Sequence, residues 1–159
     1  IYLKKIAKEY WLPYIQGSFE KTGKTISIEF AERICATVDY HPWYVQQLCF
    51  FIWSDTTDSV TEDIFQNQVQ TLIDTNAPQY ESDISSLTMS QIAMLKAIAN
   101  GEQKLSSAAV VSRYNLGGPQ TILRNKKILI SRDIIEQGTE TRYRFVDPVF
   151  LLWFRQNNI

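Results

Sequence analysis

Apolar residues recur at the three- and four-residue spacing of an α-helix through the first half of the chain, which predicts four helices there. The first runs from about Glu9 to Thr22, and its apolar face comprises Trp11, Tyr14, Ile15 and Phe19. Ser27 is a suitable N-cap for the second helix. Pro42 suits the first position of the third helix, which is apolar on most sides and is predicted to be the most buried of this half.

A fourth helix is predicted to begin at Thr61. The next two residues, Glu62 and Asp63, carry negative charges that complement the positive end of the helix dipole. The tripeptide Asn76-Ala77-Pro78 is predicted to interrupt it, because proline lacks an N–H and its ring clashes with the preceding turn. A shorter connecting helix then runs to about Leu87. The pattern therefore predicts a helical domain over residues 1–87.

A second domain is predicted over residues 88–159, and it opens with three short helices. One begins at Met89, one is capped by Ser106 or Ser107, and one begins at Pro119 after a glycine-rich turn. The third of these helices is predicted to direct four apolar residues toward the core, namely Ile122, Leu123, Ile128 and Leu129.

After the third helix the hydrophobic period changes from helical to alternating. Ile134 to Glu136 and Arg142 to Val146 are predicted as two strands, joined by a turn at residues 137–140. Asp147 and Pro148 are suited to restart a helix, as N-cap and first residue. The aromatic face of that helix is predicted to pack on the core, and it comprises Phe150, Trp153 and Phe154. The predicted fold is mainly α, and three helices followed by a β-hairpin is the order of a winged helix-turn-helix.

The charge of the chain is distributed unevenly between the two predicted domains. Residues 1–87 carry six basic and twelve acidic residues, a net charge of −6, whereas residues 88–159 carry ten basic and five acidic residues, a net charge of +5. This split predicts two domains with different partners or faces. The hydrophobic share of 45% is sufficient for packed cores in both.

The residues that could carry chemistry are few. Cys35 and Cys49 lie within apolar helical patterns, which predicts buried free thiols in a reducing compartment and hence a cytoplasmic location. His41 is the sole histidine, so no metal site and no histidine-activated nucleophile is predicted. No apolar run reaches the length of about 18 residues that a membrane helix requires, so no membrane partner is expected. The chain alone is therefore predicted to be non-catalytic and to bind no cofactor.

Four strings in the chain occur together in a known order. The first is Ile26-Ser27 followed by Ala31 and Ile34, and the second is Asp39-Tyr40-His41-Pro42-Trp43-Tyr44-Val45-Gln46-Gln47-Leu48. The third is Leu87-Thr88 followed by Gln91 and Leu95-Lys96-Ala97-Ile98-Ala99, and the fourth is Tyr143-Arg144-Phe145-Val146-Asp147-Pro148-Val149-Phe150-Leu151-Leu152-Trp153-Phe154. In this order they resemble the C-terminal half of the archaeal-type ATPases, a prokaryotic P-loop family related to the AAA+ and STAND ATPases. The resemblance covers essentially the whole chain.

In that family a nucleotide-binding domain comes first, followed by a helical lid and a winged helix. The resemblance therefore implies a lid-like domain at residues 1–87 and a winged helix at residues 88–159. The phosphate-binding motif Gly-x-x-x-x-Gly-Lys-Ser/Thr does not occur in the chain, nor does an apolar strand that ends in magnesium-binding acidic residues. The resemblance implies a regulatory fragment of a larger ATPase. The missing N-terminal nucleotide-binding domain of the same polypeptide would be its partner, and ATP and magnesium the cofactors of that parent.

The start of the third helix is the candidate nucleotide contact. In related ATPases a proline at this point packs near the nucleotide base, which the resemblance implies for Pro42, with His41 beside it, in the full-length parent. The family often has glycine where this chain has Tyr40. A plain helix start, with His41 capping or solvated, explains the same residues. Three further aromatic residues of this helix are predicted as core, with a ligand cage as the alternative: Trp43, Tyr44 and Trp53.

The alternative function is that of a DNA-binding winged-helix regulator with a helical sensor or dimerisation domain. The candidate DNA contacts lie on the third helix of the second domain and on the hairpin: Gln120, Arg124, Asn125, Lys126, Lys127, Arg142 and Arg144. Arginine and asparagine read guanine and adenine edges, and lysine suits phosphates. A solvated basic face or a surface that docks on protein accounts for the same residues, and the isoelectric point of about 5.9 is low for a DNA-binding protein.

Overall fold

The structure, a computed structural model, describes residues 6–138 and 142–159. Within these residues the fold is mainly helical with one two-stranded antiparallel sheet, as predicted. The elements in chain order are α1 (Lys8–Glu20), α2 (Ile28–Thr37), α3 (Pro42–Asp55), α4 (Glu62–Ser85), α5 (Met89–Ala99), α6 (Ala108–Tyr114), α7 (Pro119–Ser131), β1 (Ile135–Gln137), β2 (Tyr143–Phe145) and α8 (Pro148–Asn158). The chain forms two compact units, Ile1–Asn76 and Ala77–Ile159, which we call unit 1 and unit 2.

The predicted helix starts of unit 1 are present in the structure. The Ser27 hydroxyl accepts a hydrogen bond from the Phe30 N–H at 3.2 Å, and Pro42 is the first residue of α3. Each apolar stripe packs into one core because it follows the helical period. That core is formed by Trp11, Ile15, Phe19, Ala31, Ile34, Val38, Tyr44, Val45, Leu48, Ile52, Phe65, Leu72 and Ile73.

The predicted interruption at Asn76-Ala77-Pro78 is wrong, because α4 continues through it. A proline inside a helix removes one backbone hydrogen bond and costs about 3 kcal/mol. Burial on both sides of Pro78 offsets that cost. Leu72 lies in the core of unit 1, and Tyr80 is buried in unit 2, where its ring stacks on Phe150 with centroids 4.7 Å apart. The boundary between the two units lies after Asn76. The sequence pattern places it between residues 87 and 88 instead.

Unit 2 has the three helices and hairpin that the sequence predicts. Thr88 and Gln91 form a reciprocal capping box at the start of α5, and the Ser107 hydroxyl caps α6 by accepting from the Val110 N–H at 3.4 Å. Ile135 pairs with Phe145 in the antiparallel hairpin. Part of the predicted turn, residues 139 and 140, lies outside the described residues.

The aromatic face of α8 packs into the core of unit 2, as predicted. Phe150, Trp153 and Phe154 are all buried. The Phe145 ring from β2 meets Phe150 edge-on at 5.6 Å, and it lies 5.5 Å from the Phe154 ring. Aromatic pairs in these arrangements contribute about 0.5–1.5 kcal/mol each beyond the area they bury. This aromatic cluster therefore fixes α8 against the hairpin.

We expect Asp147→Ala to destabilise unit 2 by about 1–2 kcal/mol. One carboxylate oxygen of Asp147 accepts from the Val149 and Phe150 N–H groups at 2.8 and 3.1 Å, and the other accepts from the Tyr80 hydroxyl at 2.9 Å. Urea unfolding followed by circular dichroism measures the loss. Asp147→Asn is the matched control because its amide oxygen still caps α8, and equal losses in both variants would contradict the assigned role.

The described helices include none that is both long enough and apolar enough to cross a membrane.

Candidate functional site

The loop before α3 holds the chain in a conformation that glycine usually adopts. Asp39 and Tyr40 have φ values of 48° and 55°, in the left-handed region that costs an ordinary residue roughly 1–2 kcal/mol. The Tyr40 N–H donates to the Cys35 carbonyl at 2.8 Å, and the His41 N–H donates to the Val38 carbonyl at 2.9 Å. Tyr40 therefore adopts a backbone conformation typical of glycine although it carries a large side chain.

His41 and Pro42 follow this turn as the N-cap and first residue of α3. The His41 side chain makes no capping hydrogen bond, so the prediction that His41 could cap the helix is wrong. Its ring is half-buried and lies 4.9 Å from the Tyr44 ring. Within the described residues, its Nδ1 is buried without a hydrogen-bond partner. A buried polar atom without a partner costs about 1–3 kcal/mol.

The other aromatic residues of α3 do not form a cage. Trp43 is 67% exposed, so its predicted place in the core is wrong, whereas Tyr44 is buried. Trp53 is half-buried and donates its indole N–H to the Thr22 hydroxyl at 2.9 Å. Ten residues separate Trp43 from Trp53, which places them about 15 Å apart along the helix, too far to enclose one ligand.

An apolar groove of about 300 Å³ runs between α1 and α3, and we call it the aromatic groove. Its lining carries no charged side chain: Trp11, Tyr14, Ile15, Ser18, Phe19, Thr22, Gln46, Cys49, Phe50 and Trp53. Tyr14, predicted on the apolar face of the first helix, is 62% exposed at the rim of the groove, and Phe50 is exposed as well. The Trp11 indole N–H is buried and has no partner within the described residues. Helical periodicity did not reveal this groove, because it assigns Tyr14 to the same face as the buried residues.

The predicted DNA contacts do not form one surface. Gln120, Arg124 and Lys127 are exposed on α7 beside Leu123 and Ile128, and together these five residues line a shallow concavity of about 410 Å³, which we call the α7 face. Leu123 was predicted as core, but it is 55% exposed. Helical spacing explains the arrangement, because these five positions lie on the side of α7 opposite its buried residues.

Three of the remaining predicted DNA contacts interact with other side chains of unit 2: Asn125, Lys126 and Arg144. Asn125 is 1% exposed and donates its amide to the Ser90 hydroxyl at 3.1 Å, so it cannot reach a base. The Lys126 ammonium lies 4.8 Å from the centre of the Tyr143 ring, and partial burial lowers the pKa of this lysine. Arg144 forms an ion pair with Glu136 at 2.6 Å. Arg142 directly precedes β2, and its side chain is exposed.

Neither cysteine has the surroundings of a reactive thiol. Burial raises the pKa of the Cys35 thiol to about 11 and that of the Cys49 thiol to about 12, so both are protonated at neutral pH. Among residues 6–138 and 142–159, no group of three or more histidine, cysteine, aspartate or glutamate side chains is arranged to hold a metal ion.

Comparison with known proteins is informative for both units. Residues 78–156 match the sequence model of a family described as "Probable winged helix domain". No curated protein sequence matches the chain. In fold, the chain is similar to the Walker-type ATPase of Pyrococcus abyssi, with a TM-score of 0.74 and 14% sequence identity over 96% of this chain. The chain spans 43% of the length of that ATPase, so the likeness is to a part of it. Residues 78–156 therefore form a winged helix domain, and the chain shares the fold of part of that ATPase.

Proposed function

We propose that the chain is the C-terminal regulatory region of a larger P-loop ATP-binding protein, with unit 1 as its lid and unit 2 as its winged helix. The region itself is non-catalytic, and the parent polypeptide is an ATPase. The observation that carries the proposal is the turn at Tyr40, His41 and Pro42. It combines a glycine-like backbone with an unpartnered, buried histidine nitrogen at a helix start.

The aromatic groove also supports a larger parent. Monomeric proteins seldom expose contiguous apolar surface unless it is functional, and Tyr14 and Phe50 expose large rings at the edge of the groove. A nucleotide-binding domain ahead of residue 1 would cover such a surface. The fold likeness to part of a Walker-type ATPase agrees with this arrangement. Free, protonated thiols at Cys35 and Cys49 suit a cytoplasmic protein.

ATP and magnesium would be held mainly by that nucleotide-binding domain. The present chain has no phosphate-binding loop, so its own contribution is confined to the base end of the nucleotide. Pro42 offers apolar contact there, and the half-buried ring of His41 beside it offers one hydrogen bond.

The test uses the full-length polypeptide and a calorimetric ATP titration. Replacing both His41 and Pro42 with alanine is expected to weaken ATP binding about fivefold, the equivalent of about 1 kcal/mol. Pro119→Ala is the matched control, because Pro119 is likewise the first residue of a helix and lies in unit 2. Unchanged ATP affinity in the double variant would show that His41 and Pro42 only start helix α3 and do not contact the nucleotide.

DNA binding by unit 2 is the second candidate function, and the exposed side chains of Gln120, Arg124 and Lys127 favour it. Affinity for duplex DNA would fall steeply as salt is raised, since phosphate contacts release counterions. Because Asn125 is buried and Arg144 is paired with Glu136, unit 2 offers fewer side chains to DNA than the sequence suggests.

A further inference from the structure

The α7 face combines exposed apolar and basic side chains on one helix. Leu123 is more than half exposed, and Ile128 lines the same concavity from the next turn of the helix. Arg124 and Lys127 lie between them, three residues apart and therefore on the same side of α7. The opposite side of the helix supplies Ile122, Asn125 and Leu129 to the core, so α7 has a fixed orientation that leaves this face outward.

The two cations of this face have no partner within the described residues. No ion pair or hydrogen bond there engages the side chain of Arg124 or Lys127. Other arginines of unit 2 differ in this respect, since Arg113 pairs with Glu102 at 2.7 Å and Arg144 pairs with Glu136. Unit 2 also carries most of the positive charge of the chain. The α7 face is therefore complementary to negative charge.

The apolar share of this surface favours a protein over a nucleic acid. DNA is bound mainly through phosphates and polar groups on base edges, and the exposed Leu123 offers these no hydrogen bond. The side chain that would read adenine, Asn125, is buried against Ser90. The wing arginine Arg144 is neutralised by Glu136. An amphipathic segment, in contrast, would cover Leu123 and Ile128 while its carboxylates met the two cations.

We propose that the α7 face is a docking surface for an acidic amphipathic protein segment. Its apolar side chains would fill the concavity between Leu123 and Ile128, and its carboxylates would pair with Arg124 and Lys127. The inference concerns unit 2 alone and does not rest on the proposed nucleotide contact of unit 1. A helix is the simplest form of such a segment, because helical spacing places apolar and acidic residues on adjacent faces.

The probe is a fluorescent helical peptide of about 18 residues, roughly 27 Å long, with leucine on one face and glutamate on the other. Anisotropy titrations against the 159-residue chain at low salt measure its binding. We expect Leu123→Ser and Arg124→Gln each to raise the dissociation constant about tenfold, and replacement of the peptide leucines by serine to do the same. The controls are Met89→Ser, an exposed apolar side chain on α5, and Arg113→Gln, an exposed arginine on α6. Both should leave the affinity unchanged.

Two results would overturn the proposal. One is the absence of peptide binding up to about 1 mM. The other is binding of a duplex DNA of about 20 base pairs that Arg124→Gln abolishes and Leu123→Ser leaves intact, which would assign the α7 face to nucleic acid. Circular dichroism is the folding control for the Leu123 and Arg124 variants, and we expect unchanged spectra because both side chains are exposed.

Discussion

Replacing Trp153 with alanine is expected to destabilise unit 2 by about 3–5 kcal/mol, the cost of deleting a buried tryptophan. The residue is 7% exposed, and its ring lies 5.8 Å from Tyr80 and 5.9 Å from Phe150. Its loss would leave a cavity between α8 and the second half of α4, both within unit 2. Urea unfolding of the 159-residue chain, followed by circular dichroism, measures the effect.

Trp43→Ala is the matched control, because it deletes the same side chain from an exposed position on α3. Its expected effect is within about 0.5 kcal/mol, as for most surface substitutions. An unchanged unfolding midpoint for Trp153→Ala would show that the aromatic face of α8 is not a core element. Equal losses in the two variants would contradict the burial assigned to each.

The second large effect concerns nucleotide affinity. The isolated chain is expected to bind ATP no more tightly than about 1 mM, equivalent to about −4 kcal/mol. Most of the binding free energy of ATP comes from charge-assisted contacts to its phosphates and magnesium, and the phosphate-binding loop is absent from this sequence. Calorimetric titration of the isolated chain and of the full-length polypeptide, under the same conditions, gives the comparison. Micromolar binding by the isolated chain would reveal a nucleotide site within it.

Features that depend on a few neighbouring residues could be predicted from the sequence. Ser27 and Asp147 each cap a helix, because a side-chain oxygen directly before a helical stripe accepts hydrogen bonds from the first N–H groups of the helix. The prolines at the starts of α3, α7 and α8 follow the same logic, since their fixed φ suits a first helical position. The hairpin could be predicted because apolar and polar residues alternate along its second strand.

Features that depend on tertiary packing were harder to predict. Pro78 breaks a local rule, and the burial of Leu72 before it and Tyr80 after it explains why α4 continues. The groove-lining role of Tyr14 depends on where α3 lies, which periodicity does not specify. The burial of Asn125 had a signal in the sequence, because it lies three residues after Ile122 and four before Leu129, on the buried stripe of α7. Its polar character favoured the surface interpretation.

The proposed regulatory role depends most on what precedes the chain in its parent polypeptide. Determining the coding sequence ahead of Ile1 in the same reading frame is the most direct test. We expect a Gly-x-x-x-x-Gly-Lys-Ser/Thr motif there, followed by an apolar strand that ends in acidic residues for magnesium. A parent polypeptide without a phosphate-binding loop ahead of Ile1 would contradict the assignment of unit 1 as an ATPase lid.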